Sequence, residues 1–334
     1  MVSYLVTTVS ALLLMGCVEV IDLDSLRPEP SLVVNGVALT DEPFTVSVSR
    51  TWFLTEELSN VIISKADVRL FVNDAFVSKM DYVADLGEAY NSRGAFHSDY
   101  YPQVGDRVRV EVSEPEYGEA WAEAVVPRPA NLLSATASTT VVPGPGWYKT
   151  RKDTYTVTFR DEASTEDYYL FWLESGEPIY DSEKEQYTGE YRWGYSYVNY
   201  AVDPIFGQSI TSIDQILGYD WLSGSRGRVF SDELVSGQEY TINLVSEVRE
   251  SGGSLFPDNK PEAPNNRLRV HLYTISKDYY FYLQTLQDQS DTTLSNLLVD
   301  IGLAEPVQVY SNVEGGVGIL GACRRDMLEI VVEK

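Results

Sequence analysis

The sequence predicts a mainly β protein: an N-terminal immunoglobulin-like β-sandwich over residues 31–128, then a second mainly β domain over residues 129–334 with one packed helix near 277–287. Three observations predict it. First, Arg107-Val108-Arg109-Val110-Glu111-Val112 alternates valine with charge, the period of a strand with one buried and one wet face. Second, about seven such short runs fall within about 100 residues, with turn residues between them, which is the spacing of a sandwich. Third, Pro127-Arg128-Pro129 breaks any strand ladder, because proline has no amide donor, and so marks a boundary.

The elements follow in order. Residues 31–38 and 45–50 read as the first two strands. In 67–72, Val68, Leu70 and Val72 share one face, and Asn73-Asp74 supplies a turn into 76–80. Residues 94–100, 107–112 and 119–126 complete the first sandwich, with Gly105-Asp106 as a further turn. Past the boundary, Val142-Pro143-Gly144-Pro145-Gly146 is a loop. Strands resume at 154–160, 168–174, 190–200, 239–248 and 267–275; in the last, Leu268, Val270 and Leu272 alternate with Arg267, Arg269 and His271. Ser276 is placed to cap a helix whose Tyr279, Leu283 and Leu286 share a face at i, i+4, i+7. A final apolar strand is expected over 327–332. No repeat of 20–50 residues is present.

The N-terminus carries a different signal. An apolar stretch over 4–15 runs into Leu14-Met15-Gly16-Cys17. It is shorter than the roughly 20 apolar residues that span a bilayer. An h-region followed by Leu-x-Gly-Cys is the layout of a bacterial lipoprotein signal, although Met1-Val2-Ser3 lacks the usual Lys or Arg. Residues 1–16 are therefore expected to be removed and Cys17 to be lipidated. Acidic residues Glu19, Asp22 and Asp24, then Pro28 and Pro30, make 17–30 a tether. The body beyond it has no long apolar run, so contact with the membrane is expected through the lipid alone.

Composition narrows the function. The net charge is −25, which excludes the basic footprint of a nucleic-acid binder. The two cysteines are Cys17 and Cys323. With Cys17 lipidated no internal disulfide forms, and Cys323 is expected as a buried, inert thiol.

Little points to catalysis. The two histidines, His97 and His271, have no second His or Cys at zinc-ligand spacing. His271, alternating with Arg269, is expected to be exposed or half-exposed. No Gly-x-Ser-x-Gly elbow occurs, and Gly315-Gly316-Val317-Gly318 opens no helix; it reads as a tight turn where backbone approaches backbone. The pairs Asp161-Glu162 and Glu166-Asp167 have the chemistry to flank Ca²⁺ or to serve a glycosidase, but among 50 acidic residues they read as solvated loops. No catalytic residue, cofactor or metal is assigned. The aromatic content says more: on a strand Tyr191, Trp193, Tyr195 and Tyr197 share one face. Such a strip either stacks on a sugar or docks a protein, or else fills a core.

Several runs resemble a known family. They are Cys17-Val18-Glu19-Val20-Ile21-Asp22-Leu23, Leu32-Val33-Val34-Asn35-Gly36, Thr40-Asp41-Glu42-Pro43, Leu272-Tyr273-Thr274-Ile275-Ser276-Lys277-Asp278-Tyr279-Tyr280, and Pro306 through Gly321 with its Ser311-Asn312-Val313-Glu314-Gly315-Gly316 core. Together they resemble the domain-of-unknown-function 4249 family of Bacteroidota lipoproteins, from Cys17 almost to the C-terminus. Cys323 departs from it, standing where an aromatic or small residue is more usual. The resemblance implies an outer-membrane lipoprotein, often encoded beside a TonB-dependent receptor, and implies no known activity. The resulting expectation is an accessory or binding protein that captures a small nutrient, glycan or peptide for such a receptor, or docks on it. The alternatives are a surface hydrolase and a structural or adhesive envelope protein.

Overall fold

A computed structural model describes residues 27–53, 55–56, 61–84, 94–143, 148–163, 165–209, 227–251, 261–290 and 308–333. Cys17, the signal segment and the tether up to residue 26 lie outside them. The strands are β1 (Leu32–Leu39), β2 (Thr45–Arg50), β3 (Asp67–Val72), β4 (Ala75–Lys79), β5 (Asp81–Val83), β6 (Ala95–His97), β7 (Arg107–Glu114) and β8 (Gly118–Val125). Then come β9 (Asn131–Pro143), β10 (Tyr148–Arg160), β11 (Tyr168–Asp181), β12 (Gln186–Tyr195), β13 (Arg228–Ser231), β14 (Glu239–Ser251), β15 (Arg267–Ile275) and β16 (Gly316–Val331). Among the described residues one α-helix, α1 (Lys277–Ser290), follows β15 in the chain. The chain is mainly β, as the alternation predicts.

One large sheet organises everything. Its order is β12-β11-β15-β16-β1-β2-β6-β5, with β13 also on β11. A four-stranded sheet, β4-β3-β7-β8, faces one half of it. Between them lie Val34, Val46, Val48, Val68, Leu70, Val108, Val110 and Ala122, all buried. A three-stranded sheet, β14-β10-β9, faces the other half, enclosing Val157, Phe159, Phe171, Leu173, Ile242, Val270 and Leu272. The core changes between Val126, in the first cluster, and Ala130, in the second, across Pro127-Arg128-Pro129.

The strand β16 belongs to both halves. Its first part pairs parallel with β1 from Gly316 to Cys323; its second pairs antiparallel with β15 from Cys323 to Val331. Leu320 and Ala322 enter the first core and Ile330 packs on the second. The glycines at its start are required by this closeness. A Cβ on Gly316 would stand 2.6 Å from the Leu32 carbonyl, and one on Gly318, whose φ is +121°, would stand 2.2 Å from that of Val34.

The helix α1 covers one end of the large sheet's outer face. Tyr279, Tyr280 and Leu283 pack with Tyr168, Tyr273, Ile275 and Cys323. Leu286, expected on that buried face, is 39% exposed. The Ser276 hydroxyl, expected to cap the helix, instead accepts from the Ala322 amide of β16 at 3.1 Å.

Candidate functional site

The large sheet has one face in the cores and one turned away from them. Phase decides which residue goes where. On β11, Tyr169, Phe171 and Leu173 are core, so Trp172, Glu174 and Gly176 face outward; on β15, Arg267, Arg269 and His271 do the same. Neither Tyr191 nor Trp193 belongs to a core cluster.

The aromatic strip is built on β12. Trp193 pairs with Gly176 and Tyr191 with Pro178. The Trp193 ring packs so closely on Gly176 that a Cβ there would meet it at 3.0 Å. Two arginines from β15 layer onto the strip: Arg269 lies 3.6 Å from the Trp193 centroid and Arg267 lies 4.7 Å from that of Tyr191. Glu329 of β16 holds both, accepting from Arg267 at 2.7 Å and Arg269 at 3.0 Å. Those bonds, Arg267's first, keep the Glu329 carboxyl below its usual range. The result is a three-strand layer of aromatic, cation and carboxylate. Tyr195 ends β12 and is 44% exposed. Tyr197, expected on the same strand face, lies beyond the strand and is 81% exposed, because the chain leaves the ladder after Tyr195.

The layer continues toward α1. His271 bonds to Glu174 at 3.0 Å and stacks on Trp172 at 4.7 Å. His271 is 7% exposed, which corrects the expectation of an exposed imidazole: the indole covers it. Burial lowers its pKa, with Glu174 acting in the other direction. Its Nδ1 and the Trp172 Nε1 are buried without a hydrogen-bond partner among the described residues. Beyond them Arg325 lies over Tyr273 at 5.5 Å and pairs with Asp41 and Glu42 at 3.4 and 3.3 Å.

A second feature was not singled out in the sequence. On the outer face of the four-stranded sheet, Asp67, Arg69, Arg109, Glu111, Ser113, Glu119 and Trp121 line an open cleft of about 270 Å³. Arg109 stacks on Trp121 at 4.4 Å. The signal lay in Glu119-Ala120-Trp121-Ala122-Glu123, where alternation assigns the tryptophan to the charged face.

The two acidic pairs are split by the fold. Glu162 and Glu166 are exposed, but Asp161 is 3% exposed and Asp167 is half-buried. The reading of both pairs as solvated loops therefore fails for the aspartates. They converge with Asp232, 4% exposed, so that one carboxylate oxygen from each lies within 4.8 Å of the others. Burial, then neighbouring charge, pushes Asp167 and Asp232 upward.

Among known proteins, a family model described as "Domain of unknown function (DUF4249)" matches residues 18–329. No curated protein matches. One solved structure, "Biofilm associated protein - BSP domain", is similar at 8% identity and a TM-score of 0.17, over 90% of this chain and 59% of that one. The present chain thus spans less than two thirds of that protein, and a likeness of this size carries no argument.

Proposed function

We propose that this chain, which belongs to the DUF4249 family, works as a lipid-anchored outer-membrane accessory protein that docks on a TonB-dependent receptor in nutrient uptake. The carrying observation is the outer-face layer of Tyr191, Trp193, Arg267, Arg269 and Glu329. Tyrosine, tryptophan and arginine are where interface energy concentrates. Here they stand outside both cores. Glu329 fixes both guanidinium groups before any partner arrives, so less side-chain freedom is lost on docking. Tyr195, 44% exposed at the end of β12, extends the strip. The ring of Trp193 already carries Arg269, so the strip suits a protein partner better than a sugar ring.

Lipidation at Cys17 would hold this face near membrane barrels. Co-purification of the tagged protein under mild detergent tests the reading. Wild type should bring down an outer-membrane barrel, and Arg267→Ala or Trp193→Ala should lose it while remaining folded. Cys17→Ala should leave the membrane fraction. Recovery of the wild type alone would count against the proposal.

The Trp121 cleft favours a second reading, capture of a small glycan or peptide. Its lining combines one indole with several charged and hydroxyl groups, the mixture that orients a polar ligand. Calorimetry with glycan and peptide libraries tests it, with Trp121→Ala as the control that should abolish heat release.

A further inference from the structure

The register of the four-stranded sheet explains its outer cleft. Asp67, Ser113 and Glu119 stand side by side across β3, β7 and β8, and Arg69, Glu111 and Trp121 form the next row. Ser113 is the short side chain in the middle, so the surface dips there between longer ones. Val112 and Ala120 also line the cleft although their side chains are in the core, so their backbone forms its floor. Its volume of about 270 Å³ lies just under the roughly 300–1,000 Å³ of drug-sized sites, which sets the occupant as a small one.

The charges around the cleft are already paired. Asp67 bonds to Arg69 at 2.6 Å and to Lys79 at 2.9 Å, and Glu111 bonds to Arg109 at 2.7 Å. Lys79 first, with burial opposing, and then Arg69 hold the Asp67 carboxyl below its ordinary range, so it stays ionised. Counting Glu119, three carboxylates stand against the three cations Arg69, Lys79 and Arg109. An anion would meet the first set and a cation the second, so neither sign of ligand is favoured.

What the cleft offers is hydrogen bonding of both kinds. Among the described residues neither the Ser113 hydroxyl nor the Glu119 carboxylate is bonded to another side chain. Arg109 Nε is buried with no hydrogen-bond partner, an uncommon state for a buried donor. Trp121 is 37% exposed, and its ring lines the cleft while Arg109 lies over it. A neutral molecule rich in hydroxyl groups answers all of these. Each hydroxyl donates to a carboxylate and accepts from a guanidinium, and its C–H surface lies against the indole.

A peptide fits less well, because the edge of β8 is closed beside the cleft. Trp121 and Glu314 exchange both backbone hydrogen bonds at 2.9 Å, and Asn312 Nδ2 donates to the Glu123 carbonyl at 3.3 Å. No strand edge is left next to Trp121 for an extended peptide to add to and gain main-chain hydrogen bonds. The same contacts brace β8, so Trp121 is held in place before a ligand arrives.

We propose that this cleft binds a neutral carbohydrate, one or two sugar rings of a glycan set against Trp121, with their hydroxyls shared among Ser113, Glu119 and the Arg109 guanidinium. The proposal rests on the reading of the Trp121 cleft as a capture site and narrows its ligand class.

The test uses the purified full chain labelled with 5-fluorotryptophan, in which the Trp121 resonance is the one missing from Trp121→Phe. Neutral hexasaccharides of glucose, mannose, galactose and xylose are titrated in, and beside them oligogalacturonate and acidic, basic and neutral hexapeptides. The expected result is a saturable shift of the Trp121 resonance with at least one neutral hexasaccharide. Its affinity should change less than about twofold between about 50 and about 500 mM salt, because no net charge is neutralised. Glu119→Gln should weaken it about tenfold by removing a charged acceptor, while Glu162→Gln, exposed on the second sandwich, should leave it unchanged. A Trp121 shift with the uronate or a peptide, and with none of the neutral sugars, would overturn the proposal and still leave the cleft a capture site. No shift with any probe would overturn both. A neutral sugar that moves only other resonances, or binds Glu119→Gln as tightly as wild type, would place the sugar elsewhere and overturn the proposal as well.

Discussion

The Arg269 guanidinium lies 3.6 Å from the centroid of the Trp193 ring, and the same ring packs against Gly176. This contact joins the edge strand β12 to β15 across the intervening β11. Trp193 thus has structural neighbours without being a core residue. Trp193→Ala should cost about 1–2 kcal/mol, from a lost cation–π contact and partial burial. That is well below the roughly 3–5 kcal/mol of a core tryptophan. Urea unfolding measures it, and a loss in the core range would remove the strip from consideration as a docking surface.

His271 makes stability depend on pH. Burial, the largest cause, puts its folded pKa below the ordinary 6.5, against the pull of Glu174 and with help from Arg325 and Arg269. The unfolded chain therefore takes up a proton first as pH falls. Stability contributed by the neutral imidazole is complete above 6.5, declines between 6.5 and the lower folded pKa, and is then constant. Melting followed from about pH 7 to pH 5 should show this slope in wild type and a shallower one in His271→Gln. Equal slopes in the two proteins would assign the effect to another group.

Gly318 is the glycine of β16 at which an added Cβ would come nearest to β1. Its φ of +121° disfavours any side chain, and a Cβ would stand 2.2 Å from the Val34 carbonyl. Both defects act together in Gly318→Ala, so a loss of several kcal/mol is expected, beyond the usual range for a point substitution. Gly189→Ala is the comparison: its φ is +84° but nothing lies within 4 Å of a Cβ. It should cost only the backbone strain. Similar losses in the two variants would mean that conformation, and not close approach, makes Gly318 necessary.

The strands were legible where one face is apolar and the other charged. Residues 67–72 and 267–275 match β3 and β15 in both bounds for that reason. The long strand β9 has little such contrast: Ser134, Ala135, Thr136, Ala137, Ser138 and Thr139 alternate small with small, and only Ala137 of that run is buried. The first part of β16 is similarly hidden, since Gly315-Gly316-Val317-Gly318 reads as a turn until β1 is placed beside it. The site was legible in part. Period two put Tyr191 and Trp193 on one face, but which way that face turns depends on Arg267 and Arg269, which reach it from a distant strand. Asp161 and Asp167 were visible as acids; Asp232 joins them only through the β11–β13 ladder.

Cys323 offers a probe of how the two halves hold together. It sits where β16 changes partners, opposite Leu39 of β1 and Ile275 of β15. It is 3% exposed, and burial pushes its thiol up to about 12. Alkylation needs a thiolate and access, and the native fold denies both. In a chain with two cysteines, acylation or replacement of Cys17 leaves Cys323 as the sole reporter. Iodoacetamide should therefore label the native protein only as fast as this junction opens. Gly318→Ala, which strains the β1–β16 pairing a few residues away, should raise the labelling rate several-fold. Trp193→Ala, on the far edge strand, should change it little, because β12 is not a hydrogen-bonded neighbour of β16. Rapid, complete labelling of the native wild type would show that the junction is open and that the two sandwiches are not joined through β16.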